Sequence, residues 1–290
     1  HYGEQPSAPY SMIDREKAME SQLNNVNGTM NILFAMKKFC PDAHLIKLGT
    51  MGEYGTPNID IEDGWIDINH NGRSDRMLYP KKPGSFYHLS KVHDSHNIEF
   101  CCRVWGLKST DLNQGIVYGV NSDLTDEQEF PTSFHYDSVF GTVLNRFISQ
   151  VVTRNKMTVY GNGTQTRTYL NLKDSLQCVE IAVNNPPKAG EFRVLNQFTE
   201  SFSVLEIAEK ILNVLKFKAN ADIEFIKNPR VEQENHYYNP TNKAFIDLGL
   251  KPRFLDNNFI ESTYEIINKF SNYIDQSYFY PSIQWKIDEK

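Results

Sequence analysis

Hydrophobic and polar positions along this chain follow two different periods, and the points where the period changes mark its elements. Residues 1 to 15 keep neither period and hold two prolines, so they predict a loop entering the structure. From about Glu16 to Phe39 apolar side chains return at helical spacing, at Leu23, Val26, Met30, Leu33 and Phe34, which predicts a helix with one buried face. Leu45-Ile46-Lys47-Leu48-Gly49 then reads as a short strand. It delivers Thr50-Met51-Gly52-Glu53-Tyr54-Gly55 at its carboxyl end, where open α/β sheets collect catalytic groups. Residues 56 to 84 carry Pro57, Pro80, Pro83, Gly64 and Gly72 and predict a long loop of the kind that usually serves function. A helix is expected from Ser85 to a stop at Gly106, then a strand from Leu107 to Leu112 leading into Asn113. Strand, Thr50, loop, helix with Tyr87, strand, Asn113 is a βαβ march.

The second half is more irregular. Asp137 should open an amphipathic helix with Val139, Phe140, Val143, Leu144, Phe147, Ile148 and Val151 on one side. Thr158-Val159-Tyr160 predicts a strand running into Gly161-Asn162-Gly163, which reads as a turn because the third glycine of a phosphate loop is missing. A strand to Leu172 and a helix capped by Asp174 follow, then a helix whose capping box is Ser203 and Glu206. A strand at Ile223 to Ile226 precedes Asn228-Pro229-Arg230, and the last helix is expected from Phe259 to Ile274. No internal repeat or low-complexity tract interrupts this order.

Composition narrows the class without naming a chemistry. The 290 residues, 40% hydrophobic and 23% charged, are those of a globular chain of one large domain or up to two ordinary ones. A net charge of −6 without a basic block argues against nucleic acid or an anionic membrane as the main partner. No apolar run approaches the ~18 residues of a membrane span. Cys40, Cys101, Cys102 and Cys178 have no zinc-type spacing and read as reduced thiols in or near the core. Asn27-Gly28-Thr29 and Asn162-Gly163-Thr164 fit the glycosylation pattern, which has no meaning in a reducing compartment. An opening His1 suggests a processed protein or a fragment.

Tyr87 and Lys91 bring in chemistry. Four residues apart, they share one face of the predicted helix, and an ammonium there should draw down a phenol that otherwise titrates near ~10. With fifteen tyrosines in the chain, such a spacing arises about once by chance, so the neighbours must decide.

The neighbours are HYGEQ at 1–5, SAPYSMIDR at 7–15, KLGTMGEYGTPNIDIE at 47–62, SFYHLSKVHDSHNI at 85–98, TDLNQGIVYGV at 110–120 and TVYGNGTQTR at 158–167. QCVEIA at 177–182, AGEFRVLNQFTE at 189–200 and NPRVEQENHYYN at 228–239 complete the set. With these segments the chain resembles the extended short-chain dehydrogenase/reductase (NAD-dependent epimerase/dehydratase) family of nucleotide-sugar enzymes, and within it the branch that joins sulfite to UDP-glucose. The resemblance implies an α/β fold. This would be a Rossmann-like doubly wound parallel sheet, truncated at its N-terminus, with a smaller C-terminal α+β substrate domain. Residues 1–120 and 170–198 would form the NAD-binding part, and 121–169 and 199–290 the UDP-sugar part.

The implied chemistry is oxidation of UDP-glucose at C4 by NAD, loss of water across C5 and C6, addition of sulfite at C6, and re-reduction at C4. Tyr87 would be the base for the C4 hydroxyl, Lys91 would hold the nicotinamide ribose, and Thr50 would hydrogen-bond the same oxygen. Related 4,6-dehydratases carry an acidic pair directly after that threonine, where this chain has Met51 and Gly52. His88 is therefore the first candidate for C5 and C6, and Glu53 the second. Arg167 and Arg230 match positions that clamp the diphosphate, and Asn113 matches one near the sugar phosphate.

Two departures from the family pattern stand out. No glycine-rich pyrophosphate turn occurs anywhere in the sequence, so the chain as given is expected to expose a parallel-sheet edge and not to hold NAD by itself. Pro6 stands where the family carries an arginine able to meet sulfite. Another UDP-sugar epimerase or dehydratase, or a non-catalytic UDP-sugar-binding module, are the competing readings. A homodimer through a helix bundle that includes the Tyr87–Lys91 helix is expected. The expected location is the plastid stroma in a photosynthetic eukaryote and otherwise the cytoplasm.

Overall fold

A computed structural model describes residues 1–122, 133–233 and 235–286. The chain forms two compact units. The first comprises His1–Gly115, Ser175–Phe198 and Tyr237–Lys251, the second Ile116–Asp174, Thr199–His236 and Pro252–Lys290. The chain thus changes unit at Gly115, before the expected position 120, and residues 237–251 return to the first unit.

The first unit is built on three parallel strands, β1 (His44–Thr50), β4 (Lys108–Gln114) and β8 (Phe192–Gln197), in the order β1-β4-β8. Thr50 pairs with Gln114, so the ends of β1 and β4 are level. Helix α2 (Gly28–Phe39) and helix α3 (Phe86–Trp105) cover one face through Leu33, Met36, Ile98, Cys101 and Cys102, packed on Leu45 and Val194. On the other face Cys178 and Ala182 of α5 (Leu172–Asn184) and Phe245 of α7 (Lys243–Asp247) pack on Leu112 and Leu195. Helices on both faces make this a doubly wound sheet. Each fully buried aliphatic such as Ile98 or Leu112 contributes on the order of 2 kcal/mol.

Helix α3 starts and stops where its sequence dictates. The Ser85 hydroxyl accepts the His88 N–H at 3.1 Å, and Gly106 ends the helix at φ 72°, which a residue with a Cβ adopts only at a cost.

The second unit holds a three-stranded sheet of β5 (Ile116–Tyr118), β7 (Thr166–Asn171) and β9 (Glu200–Ser203), and a parallel pair of β6 (Met157–Tyr160) with β10 (Ile223–Ile226). Its core gathers Leu144, Phe147, Ile148 and Val151 of α4 (Val143–Val152), Ile207, Ile211 and Leu215 of α6 (Val204–Ala219), and Ile260 and Ile267 of α8 (Asn257–Lys269). The capping box of Ser203 and Glu206 forms as its spacing predicts.

Four local expectations are corrected. The helical run from α1 (Arg15–Gln22) to α2 is joined by a π turn at Leu23–Asn27, and Leu23 and Phe34 lie exposed. Around the π turn the buried positions are polar, Ser21, Asn25 and Thr29, and the apolar packing is left to Leu33 and Met36 further along α2. Asn25 explains why: it donates to the Gln5 carbonyl at 3.1 Å and to Ser90 Oγ at 2.9 Å, holding the opening segment against α3. Residues 56–84 are not all loop, since β2 (Trp65–His70) and β3 (Arg73–Leu78) form a hairpin. Its turn is Asn71-Gly72, both with positive φ, the preferred chemistry of a two-residue hairpin loop. Helix α4 begins at Val143 and not at Asp137, because Asp137 instead caps a tight turn that Gly141 closes onto its carbonyl at 3.0 Å. Cys101, Cys102 and Cys178 are buried, whereas Cys40, past the end of α2, is exposed.

Candidate active site

Strand β1 ends on Thr50, whose hydroxyl accepts the Gly52 N–H at 3.1 Å and so folds Met51–Glu53 into a tight 3₁₀ turn. Tyr87 sits in the first turn of α3, anchored by its N–H to Ser11 Oγ at 3.0 Å. The two side chains meet: Thr50 is hydrogen-bonded to the Tyr87 phenol. One turn further along α3, the Lys91 ammonium lies 5.7 Å from the centre of the Tyr87 ring. It donates to the Leu48 carbonyl at 2.7 Å and is paired with Glu4. Thr50, Tyr87 and Lys91 are thus brought together at the carboxyl end of β1.

The electrostatics differ from what the Tyr87–Lys91 spacing suggests. Burial pushes the Tyr87 phenol above its ordinary value, and the cation that chiefly draws it back is Lys47, with the Thr50 hydrogen bond also acting downward. Lys91 is itself depressed by burial to about 8, with Asp94 and Asp111 opposing the shift. A lysine whose charge is committed to a carbonyl and a carboxylate has less influence on the phenol than spacing alone implies.

Lys47 is the feature the sequence reading passed over. Alternation along β1 buries Leu45, Lys47 and Gly49 on one face, so a lysine enters the core with no exposed surface. Its ammonium lies 3.2 Å from Asp111 Oδ2, 3.4 Å from Glu53 Oε1, 3.3 Å from Ser95 Oγ and 3.2 Å from the Lys91 carbonyl. Burial works against its charge, and Asp111 and Glu53 overcome it, so its affinity for the proton ends above the usual value. The signal was present in the sequence: a charged residue at an inward position of an apolar strand needs a buried partner.

Glu53 belongs to this network. Ser95 donates to its Oε2 at 3.0 Å, and Lys81, from the far end of the 56–84 segment, pairs with the same oxygen. Burial alone would push the Glu53 carboxyl up, but Lys47 and Lys81 hold it down at about 2. Its oxygens are engaged with these partners and with Ser95. His88 is placed differently, with its Nδ1 3.1 Å from Ser85 Oγ and its ring 5.1 Å from that of Tyr87. The other edge of the ring fills the space above Gly52, where any Cβ would overlap Nε2.

Asn113 is brought to the end of β4 but not to a surface. It is fully buried and donates to the Tyr54 hydroxyl at 2.8 Å, which donates in turn to Asn196 Oδ1 at 2.8 Å. Pro6 is exposed and offers no charge.

In the second unit, Arg167 pairs with Glu232 and donates to the Thr166 carbonyl at 2.7 Å. Arg230 lies 5.4 Å from the Trp285 ring, and its N–H is held by Asn228 Oδ1 at 3.0 Å. Burial raises the Glu232 carboxyl, but Arg167 and Arg230 together bring it below the usual range, so both arginines act on one anion. Glu232 too went unread in the sequence. Among the described residues no cluster of side chains has the make-up of a metal site.

A doubly wound parallel sheet whose first strand ends on a threonine bonded to the tyrosine of a Tyr-x-x-x-Lys helix defines a class of dinucleotide-dependent α/β proteins. The chain belongs to the NAD dependent epimerase/dehydratase family, whose model matches residues 1–196. It is 53% identical to the chloroplastic UDP-sulfoquinovose synthase of Spinacia oleracea, across 99% of this chain and 60% of the spinach protein. It is 42% identical to the UDP-sulfoquinovose synthase of Sulfolobus acidocaldarius, across 87% of this chain and 65% of that protein. The chain therefore spans under two thirds of the length of either relative. In fold it is similar to the UDP-glucuronic acid 4-epimerase of Bacillus cereus solved with UDP-glucuronic acid and NAD. The TM-score is 0.67 at 20% identity, over 92% of this chain and 74% of that one.

Proposed function

We propose that this chain carries the acid/base and UDP-sugar-binding parts of an enzyme that converts UDP-glucose and sulfite to UDP-sulfoquinovose, the activated donor of a sulfolipid's head group. The observation that carries the reading is the Thr50–Tyr87 hydrogen bond with Lys91 one turn behind, in a chain so similar to the spinach enzyme. Tyr87 takes the proton of the C4 hydroxyl, and Thr50, already bonded to the phenol, steadies the same oxygen. NAD, when bound, supplies the hydride acceptor at C4 and later returns the hydride. Tyr87 and Lys91 would hold its nicotinamide ribose, being a phenol and an ammonium one helical turn apart at a strand end; no other residue here is assigned to it.

His88 is the group for the proton moved at C5 and C6. Gly52 supports this: the dehydratase pattern places an acid after the threonine, and here the imidazole fills the space a side chain at 52 would need. Glu53, held ionised by two lysines, is better suited to positioning Thr50 and α3 than to exchanging a proton. Arg167 and Arg230 are the cations for the diphosphate. Asn113, committed to Tyr54, supports the strand end from within.

The reading also takes the protein to be a homodimer. Phe86, Phe100 and Val104 form an exposed stripe on α3, as expected of a helix that packs against a copy of itself. No helix among the described residues is long and apolar enough to cross a membrane. Since the spinach relative is chloroplastic, the plastid stroma is the expected location in a photosynthetic eukaryote, and the cytoplasm elsewhere.

The test is to incubate the full-length protein with UDP-glucose, NAD and sulfite and to identify the product by mass spectrometry. A sulfonated UDP-hexose supports the reading. A 4-keto-6-deoxy or epimerised sugar makes it a neighbouring UDP-sugar enzyme, and Pro6 is the residue that would favour this outcome. UDP-sugar binding without turnover makes it a binding module.

A further inference from the structure

Arg146, on helix α4 of the second unit, is a buried cation with no paired carboxylate among the described residues. The residue is 6% exposed, in a stretch where every side chain from Leu144 to Val152 is buried. Its guanidinium donates to the Thr158 carbonyl at 3.2 Å and lies 4.4 Å from the centre of the Tyr160 ring. Its Nε–H has no hydrogen-bond partner among the described residues. Among the described residues no carboxylate is paired with it, and the charged side chain that acts on it is Arg230, of its own sign.

Such an arrangement is costly. A guanidinium cannot shed its proton to escape burial, and an aromatic face with one carbonyl returns only part of the lost hydration. A buried charge of this kind persists where a ligand completes it.

The surroundings indicate which ligand. Strand β10 runs parallel to β6, with Ile226 beside Tyr160 and the Gly161 N–H donating to the Ile226 carbonyl at 2.8 Å. The segment leaving β10 therefore carries Asn228, Arg230 and Glu232 away from the strand end on which Arg146 stacks. Glu232 is shared by Arg167 and Arg230. Three guanidiniums against one carboxylate leave two positive charges, the complement of a diphosphate diester.

We infer that Arg146 is a third cation of the anion site formed with Arg167 and Arg230, and that it engages the phosphates of a nucleoside diphosphate. The inference rests on the UDP-sugar reading above and adds to it a buried determinant that neither its motifs nor its spacing pointed to.

The full-length protein and its Arg146→Met and Arg146→Lys variants are titrated calorimetrically with UDP and with uridine, and their melting temperatures are measured without ligand. Arg146→Met is expected to weaken UDP at least thirtyfold, to change uridine affinity less than threefold, and to melt no lower than the wild type. Arg146→Lys should recover part of the UDP affinity. Equal losses for UDP and uridine, undiminished UDP binding, or an Arg146→Met protein that melts lower or does not fold would each make Arg146 a structural residue and overturn the inference. Failure of the wild type to bind UDP would remove the UDP-sugar reading as well.

Discussion

In the proposed reaction Tyr87 would release a proton in surroundings that resist it, because burial penalises the phenolate more than Lys47 and the Thr50 hydrogen bond favour it. A phenol with raised affinity is ionised in a fraction that grows with pH across the neutral range. Log(kcat/KM) of the full-length enzyme should therefore keep climbing between about pH 7 and 9. Tyr87→Phe should lower kcat by about 10²–10⁴-fold. Lys47→Met should displace the climb to higher pH; a profile superposing on the wild type would leave the tuning to Lys91. Two buried carboxyls bear on stability with opposite signs. Glu53, held at about 2, stabilises the fold above its ordinary 4.5, and that contribution fades as pH falls toward 2. Asp94 is pushed up to about 6 from 3.8, burial outweighing Lys47 and Lys91, so the native state holds its proton more tightly and stability falls as pH rises through 6. Asp94→Asn should gain on the order of 2 kcal/mol at pH 7 and nothing near pH 4, as read by urea unfolding at the two pH values.

At the scale of elements, the joints matter more than the helices and strands they connect. The Thr50–Glu53 turn and the first turn of α3 interlock through Gly52 and His88, with no room for a methyl group between them. Gly52→Ala should displace the imidazole while leaving the fold intact, with a melting temperature within a few degrees of wild type. Activity should fall about as far as in His88→Ala, as a continuous assay of product release would report. Full activity in Gly52→Ala would detach His88 from the chemistry. The π turn at Leu23–Asn27 shows why periodicity misjudged that helix. One extra residue in a turn rotates everything after it, and here it brings Asn25 onto Gln5 and Ser90 in place of the apolar stripe. The hairpin at 65–78 was legible through Asn71-Gly72, but prolines on both sides masked it.

For the molecule as a whole, the exposed Phe86–Phe100–Val104 stripe predicts association. Substituting Phe100→Glu together with Val104→Glu should halve the mass measured by sedimentation, while circular dichroism stays unchanged. An unaltered mass would place the interface elsewhere. Charges are distributed by unit in the same spirit. The first holds Lys47, Lys81, Glu53 and Asp111 in one buried network, and in the second Arg167 is paired with Glu232 while Arg146 has no paired carboxylate among the described residues.

The sequence by itself determined the march of elements, the Thr50, Tyr87 and Lys91 trio, and the capping of α3 and α6. Each of these rests on spacing within a turn or a strand, or on motifs long enough to be specific. Only the tertiary structure decided what surrounds them. That Lys47 rather than Lys91 is the main charge on the phenol, that Glu53 is bound by two lysines, that Asn113 faces inward and that Arg146 has no paired carboxylate among the described residues all depend on which groups the fold brings together in a medium of low polarity. There burial and partner set the charge energy, and local spacing carries no record of either.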